Sequence, residues 1–207
     1  MIKKVSKWIA AGALVLPLAA HASIFQFNAS LNNANELAAG VASAATATGL
    51  ATLFYNDNGT VSLTDDTYNF SMSVFGLTGG NTPGTAASAY HIHGAATTSQ
   101  TATVRVALDS APFAALNSGS TLLVGGNNVS APTTLFTNAN FPTPTSFLDI
   151  LKGGLAYVNV HTFVNGSGAV RGQLLQVAVV PEPETYGMLL AGLALIGTIA
   201  RRRKNAA

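Results

Sequence analysis

Beyond its first 22 residues the chain has three histidines, His91, His93 and His161, and they offer most of the chemistry the sequence can do. His91 and His93 stand two apart in Ala89-Tyr90-His91-Ile92-His93, so on a strand both imidazoles leave one face while Ile92 enters the other. His161 closes Tyr157-Val158-Asn159-Val160-His161, in which Val158 and Val160 take the apolar face and Tyr157, Asn159 and His161 the opposite one. If these two strands pair, three neutral imidazoles converge on one face, and such a set with an open fourth position suits copper or zinc. The competing reading is structural, with the rings bonded to backbone carbonyls or to carboxylates such as Asp109 and Asp149.

Other constellations are weaker. The chain has no cysteine, which removes thiol catalysis, zinc-thiolate sites and disulfides together. Serine, histidine and aspartate are present, but no Gly-x-Ser-x-Gly elbow marks a nucleophile. Asp65 and Asp66 are adjacent, so on a strand they point to opposite faces and read as a solvated turn, not a catalytic pair. Arg171 is expected to pair with a neighbouring acid. No phosphate loop or nucleotide fingerprint occurs, and the domain is expected not to be an enzyme.

The elements that must position these side chains are strands. Ile24–Ala29 and Leu50–Tyr55 are strand-like, and Asn56-Asp57-Asn58-Gly59 reads as a hairpin turn, since Asn-Gly tolerates positive φ. In Thr67–Phe75, Tyr68, Phe70, Met72 and Val74 share one face. In Ala102–Leu108, Val104, Val106 and Leu108 do the same. Tyr157–Phe163 and Val170–Val177 flank a turn at Asn165–Gly168. Period-2 patterning at this spacing predicts an all-β fold, an antiparallel β-sandwich or barrel. One short helix is expected over Thr145–Lys152, closed by Gly153-Gly154 and packing Phe147, Ile150 and Leu151 on the sheet. Residues 117–145 read as loop-rich, with Gly125-Gly126-Asn127-Asn128 at a hairpin tip, and Ala38–Gly49 as a low-complexity loop.

Two stretches carry a family resemblance. Ala89-Tyr90-His91-Ile92-His93-Gly94-Ala95-Ala96 is similar to a signature of the CHRD (chordin-type) domain. Tyr157–Thr162, with Gly168-Ala169-Val170-Arg171-Gly172-Gln173-Leu174 after it, resembles that family's closing motif. Ala47-Thr48-Gly49 and Gly76-Leu77-Thr78 support the match, which covers nearly all of residues 23–179. The resemblance implies an all-β extracellular domain. In its His-x-His strand and third histidine alone, the chain also resembles copper-zinc superoxide dismutases. The paired cysteines and His-rich zinc loop of that family are absent, which argues against a redox enzyme of that kind.

The ends read as addresses. Residues 1–22 combine Lys3, Lys4 and Lys7 with an apolar run and small residues Ala20 and Ala22 at −3 and −1. This is a Sec signal peptide, with cleavage expected before Ser23. At the other end Pro181-Glu182-Pro183 precedes an apolar stretch from about Tyr186 to Ala200, roughly 22 Å long as a transmembrane helix. Arg201, Arg202, Arg203 and Lys204 follow and should stay cytoplasmic. Order and spacing in 180–207 resemble a PEP-CTERM sorting tail, which implies recognition by an exosortase, cleavage near the Pro-Glu-Pro motif and release from the inner membrane to the cell surface or extracellular matrix.

Charge agrees with this division. The formal net charge of +2 comes from the two tails. Between residues 23 and 180, Arg105, Lys152 and Arg171 face Glu36, Asp57, Asp65, Asp66, Asp109 and Asp149, so nucleic acid is excluded as a partner. Charged residues make up only 9% of the chain, against roughly 25% in soluble domains. The function expected first is that of a non-catalytic exported surface or matrix protein, binding extracellular polysaccharide or another surface protein. The alternative is a copper- or zinc-binding module, with redox activity conceivable, built on His91, His93 and His161.

Overall fold

The computed structural model describes residues 22–43, 45–79, 82–83, 86–177, 190–197 and 201–202. The elements run in the order β1 (Ile24–Asn32), α1 (Asn33–Ala38), β2 (Thr48–Asn56), β3 (Thr67–Phe75), β4 (Thr78–Gly79), β5 (Thr82–Pro83), β6 (Ala87–His93), β7 (Val104–Ala107), β8 (Ala114–Ser118), β9 (Thr121–Ser130), α2 (Phe147–Lys152), β10 (Tyr157–Thr162), β11 (Val170–Gln173) and β12 (Leu175–Gln176). Ten strands form one antiparallel sheet along the path β7-β6-β10-β11-β1-β2-β3-β9-β8, with β12 pairing onto β1, while β4 and β5 pair separately. The expected all-β fold is therefore present, as a half-barrel. A side chain of the end strand β8 reaches the start of β6, next to the opposite end of the path: Asn117 accepts from the Ala87 amide at 3.0 Å and donates to the Ala87 carbonyl at 2.8 Å.

Alternation builds the core. Tyr68, Phe70, Met72 and Val74 are all buried, as are their neighbours Ala51, Leu53 and Tyr55 on β2 and Phe27, Ala29 and Leu31 on β1. A fully buried side chain of this size contributes about 1.5–3 kcal/mol. The concave side is plugged by α2, where Phe147, Ile150 and Leu151 are buried as the sequence predicts. Ser146 caps this helix, accepting from the Asp149 amide at 3.1 Å and donating to its carboxylate at 2.7 Å. The Phe147 ring lies 6.3, 6.0 and 6.5 Å from those of Tyr55, Tyr68 and Phe136.

Several expectations differ from the structure. Gly125-Gly126-Asn127-Asn128 is no hairpin tip; it lies inside the ten-residue strand β9. A register shift against Tyr68–Phe70 and the positive φ of Asn128 absorb the irregularity there, and Gly126 leaves room for the Phe113 ring, whose Cδ1 a Cβ would meet at 2.6 Å. Asn58 and Gly59 do take positive φ, but inside the longer connection 57–66. Asp65 and Asp66 separate: Asp65 bonds the Thr60 hydroxyl at the surface, whereas Asp66 is buried and accepts from the Tyr55 hydroxyl at 2.6 Å. Val104 is exposed, because a register shift between Ile92 and His93 takes it off the core face that Val106 and Leu108 keep. Helix α1 and strand β8 were not foreseen.

The signal peptide expected over residues 1–22, apart from Ala22, lies outside the described residues, as do Pro181, Glu182, Pro183 and Arg203. Ala22 and Ser23 are exposed, and Arg201 and Arg202 are helical and exposed. Among the described residues no helix is long and apolar enough to cross a membrane; residues 190–197 are helical, and the span expected over 186–200 extends beyond them.

Strand contacts are tight enough to test. A Cβ on Gly172 of β11 would meet the Ser30 carbonyl oxygen at 2.6 Å and the Leu31 amide nitrogen at 3.1 Å, both backbone atoms that cannot rotate away. Gly172→Ala should therefore lower the unfolding free energy by about 1–3 kcal/mol, measured by chemical denaturation.

Candidate metal centre

Strand β10 lies between β6 and β11, and its register decides what meets what. Tyr157 opposes His93, Asn159 opposes His91, and His161 opposes Ala89. On the other side Asn159 opposes Arg171 and Tyr157 opposes Gln173. Residues directly opposite share a face, so His91, His93, Tyr157, Asn159, His161, Arg171 and Gln173 form one polar layer behind the core. Ile92, Val158, Val160 and Val170 point into the core and are fully buried.

The three histidines predicted from the sequence do come together. Their ring centroids are 5.4 Å (His91–His161), 5.6 Å (His91–His93) and 6.2 Å (His93–His161) apart. One ligand nitrogen from each lies within 4.8 Å of the others. Three points that close have a common point no farther than 4.8 Å divided by √3, about 2.8 Å, from each, against the ~2.0–2.1 Å of a Zn–N bond.

The remaining nitrogens fix how the rings face. His93 Nδ1 lies 2.9 Å from the Ala102 carbonyl and His161 Nδ1 lies 3.0 Å from the Gly166 carbonyl. A carbonyl oxygen only accepts, so both Nδ1 atoms carry the proton and the neutral rings present bare Nε2 lone pairs. His91 Nε2 faces the Asp109 carboxylate at 3.6 Å. The atoms left over, His91 Nδ1, His93 Nε2 and His161 Nε2, are buried and have no hydrogen-bond partner. Orphaned buried lone pairs of this kind are costly, and the anchoring of each ring's other nitrogen is the arrangement that orients metal-ligating imidazoles. The structural reading accounts for one nitrogen per ring and leaves the other three unexplained.

Electrostatics keep the donors ready. Burial pushes His93 down to about 4, opposed by its bond to Ala102, and burial also lowers His161. Neighbouring imidazolium charges would repel, which lowers both further.

Two supports escaped sequence reasoning. The Tyr157 ring stacks on His93 at 4.9 Å and 9°, and its hydroxyl accepts from the Ala102 amide at 3.1 Å, so the Ala102 residue anchors both rings. Arg171 pairs with no acid among the described residues: its guanidinium lies 3.4 Å from the centre of the Tyr157 ring and donates to the carbonyls of Gln100 at 2.7 Å and Thr97 at 2.9 Å. The alternation that put Tyr157, Asn159 and His161 on one face was the available signal. The Asp149 carboxylate accepts from the Ser146 hydroxyl at the start of α2 and does not serve the histidines.

The CHRD domain family model matches residues 27–174, and the model of the PEP-CTERM protein-sorting motif matches residues 179–204. No curated protein and no solved structure matches the chain.

Burial has a sign that can be read. His93 is depressed on folding, so its neutral ring adds stability above its ordinary value of 6.5, and this is lost as pH falls through about 4. Glu36, buried and raised to about 7, acts in the opposite sense, adding stability below 4.5 that is lost as pH rises through 7. The useful quantity is therefore a difference. In chelator-treated protein, the melting temperature of the wild type relative to His93→Gln should fall between pH 6.5 and 4; a constant difference would contradict the burial argument.

Proposed function

The chain belongs to the CHRD domain family, and from that premise we propose that its CHRD domain is a metal-binding module that holds copper or zinc through His91, His93 and His161. The protein is of the exported, exosortase-sorted kind that the PEP-CTERM motif marks. The proposed module therefore works at the cell surface or in the extracellular matrix after release from the inner membrane.

One combination of observations carries the reading: each of the three histidines has a buried ring nitrogen without a partner, the three can bring one ligand nitrogen each within 4.8 Å of the others, and their opposite nitrogens are anchored or face a carboxylate. An all-imidazole donor set suits copper and zinc and disfavours calcium or magnesium, which take oxygen ligands. Three protein ligands leave a position open, which a closed structural zinc site would fill. In this reading the domain is a binding module, and no residue is given a catalytic role. A purely adhesive surface module, the first expectation from the sequence, has no observation of comparable weight behind it.

Metal analysis of the purified protein should find copper or zinc near one equivalent, and none in a His91, His93, His161→Ala triple variant. Absence of metal from the wild type after exposure to both ions would end the reading. Sorting is testable separately. Replacing Pro181, Glu182 and Pro183 with alanine should leave the protein in the membrane fraction and unprocessed, as followed by cell fractionation and mass spectrometry.

A further inference from the structure

A fourth open valence lies in the polar layer. The Asn159 side chain is buried, only 4% exposed, and its Oδ1 has no hydrogen-bond partner. Its position in the sheet is central: His91 lies directly across on β6 and Arg171 directly across on β11, and Tyr157 and His161 flank it two residues away on β10. The other polar groups of this row are already engaged. Arg171 donates to Thr97, Gln100 and Gln173, the Tyr157 hydroxyl bonds Ala102, and Gln173 donates to the Ala96 and Gly154 carbonyls. What remains open on this face of β6 and β10 is one carboxamide oxygen and three imidazole nitrogens.

These four atoms differ in what they can accept. Three neutral nitrogen lone pairs take a metal ion and leave its fourth position free. A carboxamide oxygen beside them has two lone pairs and no charge. A ligand bound at the free position that carries an acidified O–H would give that oxygen the partner the fold denies it. Resting on the metal reading above, we propose that Asn159 makes the open position a site for a small protic oxygen ligand, water in the resting state, with Oδ1 accepting the hydrogen bond of the metal-bound O–H. Asn159 is thereby a positioning residue that acts through the bound ligand. Glu36, a buried side chain whose two carboxyl oxygens also lack a hydrogen-bond partner, lies on α1 against Gly168 and does not belong to this row.

The proposal separates from an ordinary packing role by its sign. A buried acceptor without a partner is a burden on the metal-free protein and an asset only in the loaded one. Asn159→Leu keeps the shape and removes the acceptor; Asn159→Asp keeps the acceptor. The test uses the mature protein, with apo melting temperature and zinc affinity by chelator competition read for each variant. Cobalt substitution adds the visible spectrum of the bound ion, whose pH titration reports ionisation of the bound water. Asn159→Leu should melt no lower than the wild type without metal, bind zinc about 10–100-fold more weakly and shift the cobalt titration, while Asn159→Asp should retain most of the affinity. An Asn159→Leu variant that melts lower without metal yet keeps wild-type zinc affinity and the same cobalt titration would overturn the inference alone. A wild type that binds neither zinc nor cobalt would overturn the metal reading and this inference with it.

Discussion

The polar layer of this domain depends on one buried cation. Arg171 is 1% exposed, has no carboxylate in contact among the described residues, and lies with its guanidinium against the Tyr157 ring. A charge in that position is tolerable only where hydrogen bonds and an aromatic face replace its water. The carbonyls of Thr97 and Gln100 supply the bonds, so the same contacts that solvate Arg171 pull the segment after β6 down over β10 and β11. Its backbone carbonyl in turn accepts from Asn35, which fastens α1 alongside. Burial raises the Glu36 carboxyl on that helix to about 7, against the pull of the Arg171 charge.

The histidine centre inherits this order. Because Arg171 fixes Tyr157 and the loop that contains Ala102, it also fixes the surface on which His93 stacks and the carbonyl that sets its tautomer. His161 is held by the turn that joins β10 to β11, through Gly166, and His91 faces Asp109 just beyond β7. Each donor is thus positioned by a different connection, while the donors themselves stand on two neighbouring strands. A sheet with a hydrophobic face toward the half-barrel interior has freedom to use its other face in this way, since alternation assigns the two faces independently. Strand β10 uses both: its valines complete the core, and Tyr157 and Asn159 are buried behind it.

Much of this was legible in local pattern and some of it was not. The face of β3, the helix over residues 147–152 and the common orientation of His91 and His93 follow from spacing alone, because a strand repeats every two residues and a capped apolar turn closes on itself. The β9 strand was not legible: Gly125-Gly126-Asn127-Asn128 has the composition of a turn, and the Phe113 ring seated over Gly126 together with pairing to β3 on one side and β8 on the other keeps it extended. Asp66 likewise looked solvated next to Asp65, and becomes buried because the Tyr55 hydroxyl comes to meet it from another strand.

Taken by itself, the sequence determined that the domain ahead of the PEP-CTERM motif is all-β and that His91 and His93 share a face. It also set Tyr157, Asn159 and His161 on a face opposite the valines. These are properties of short stretches, where covalent geometry sets the direction of each side chain. Only the tertiary structure decided that β6 lies beside β10 with Asn159 across from His91, about 70 residues away in the chain. It alone decided which nitrogen of each ring is spent on a carbonyl and which is left open. Strand neighbours and ring tautomers are set by contacts between distant segments, and a one-residue slip in that pairing would turn the same histidines toward the core.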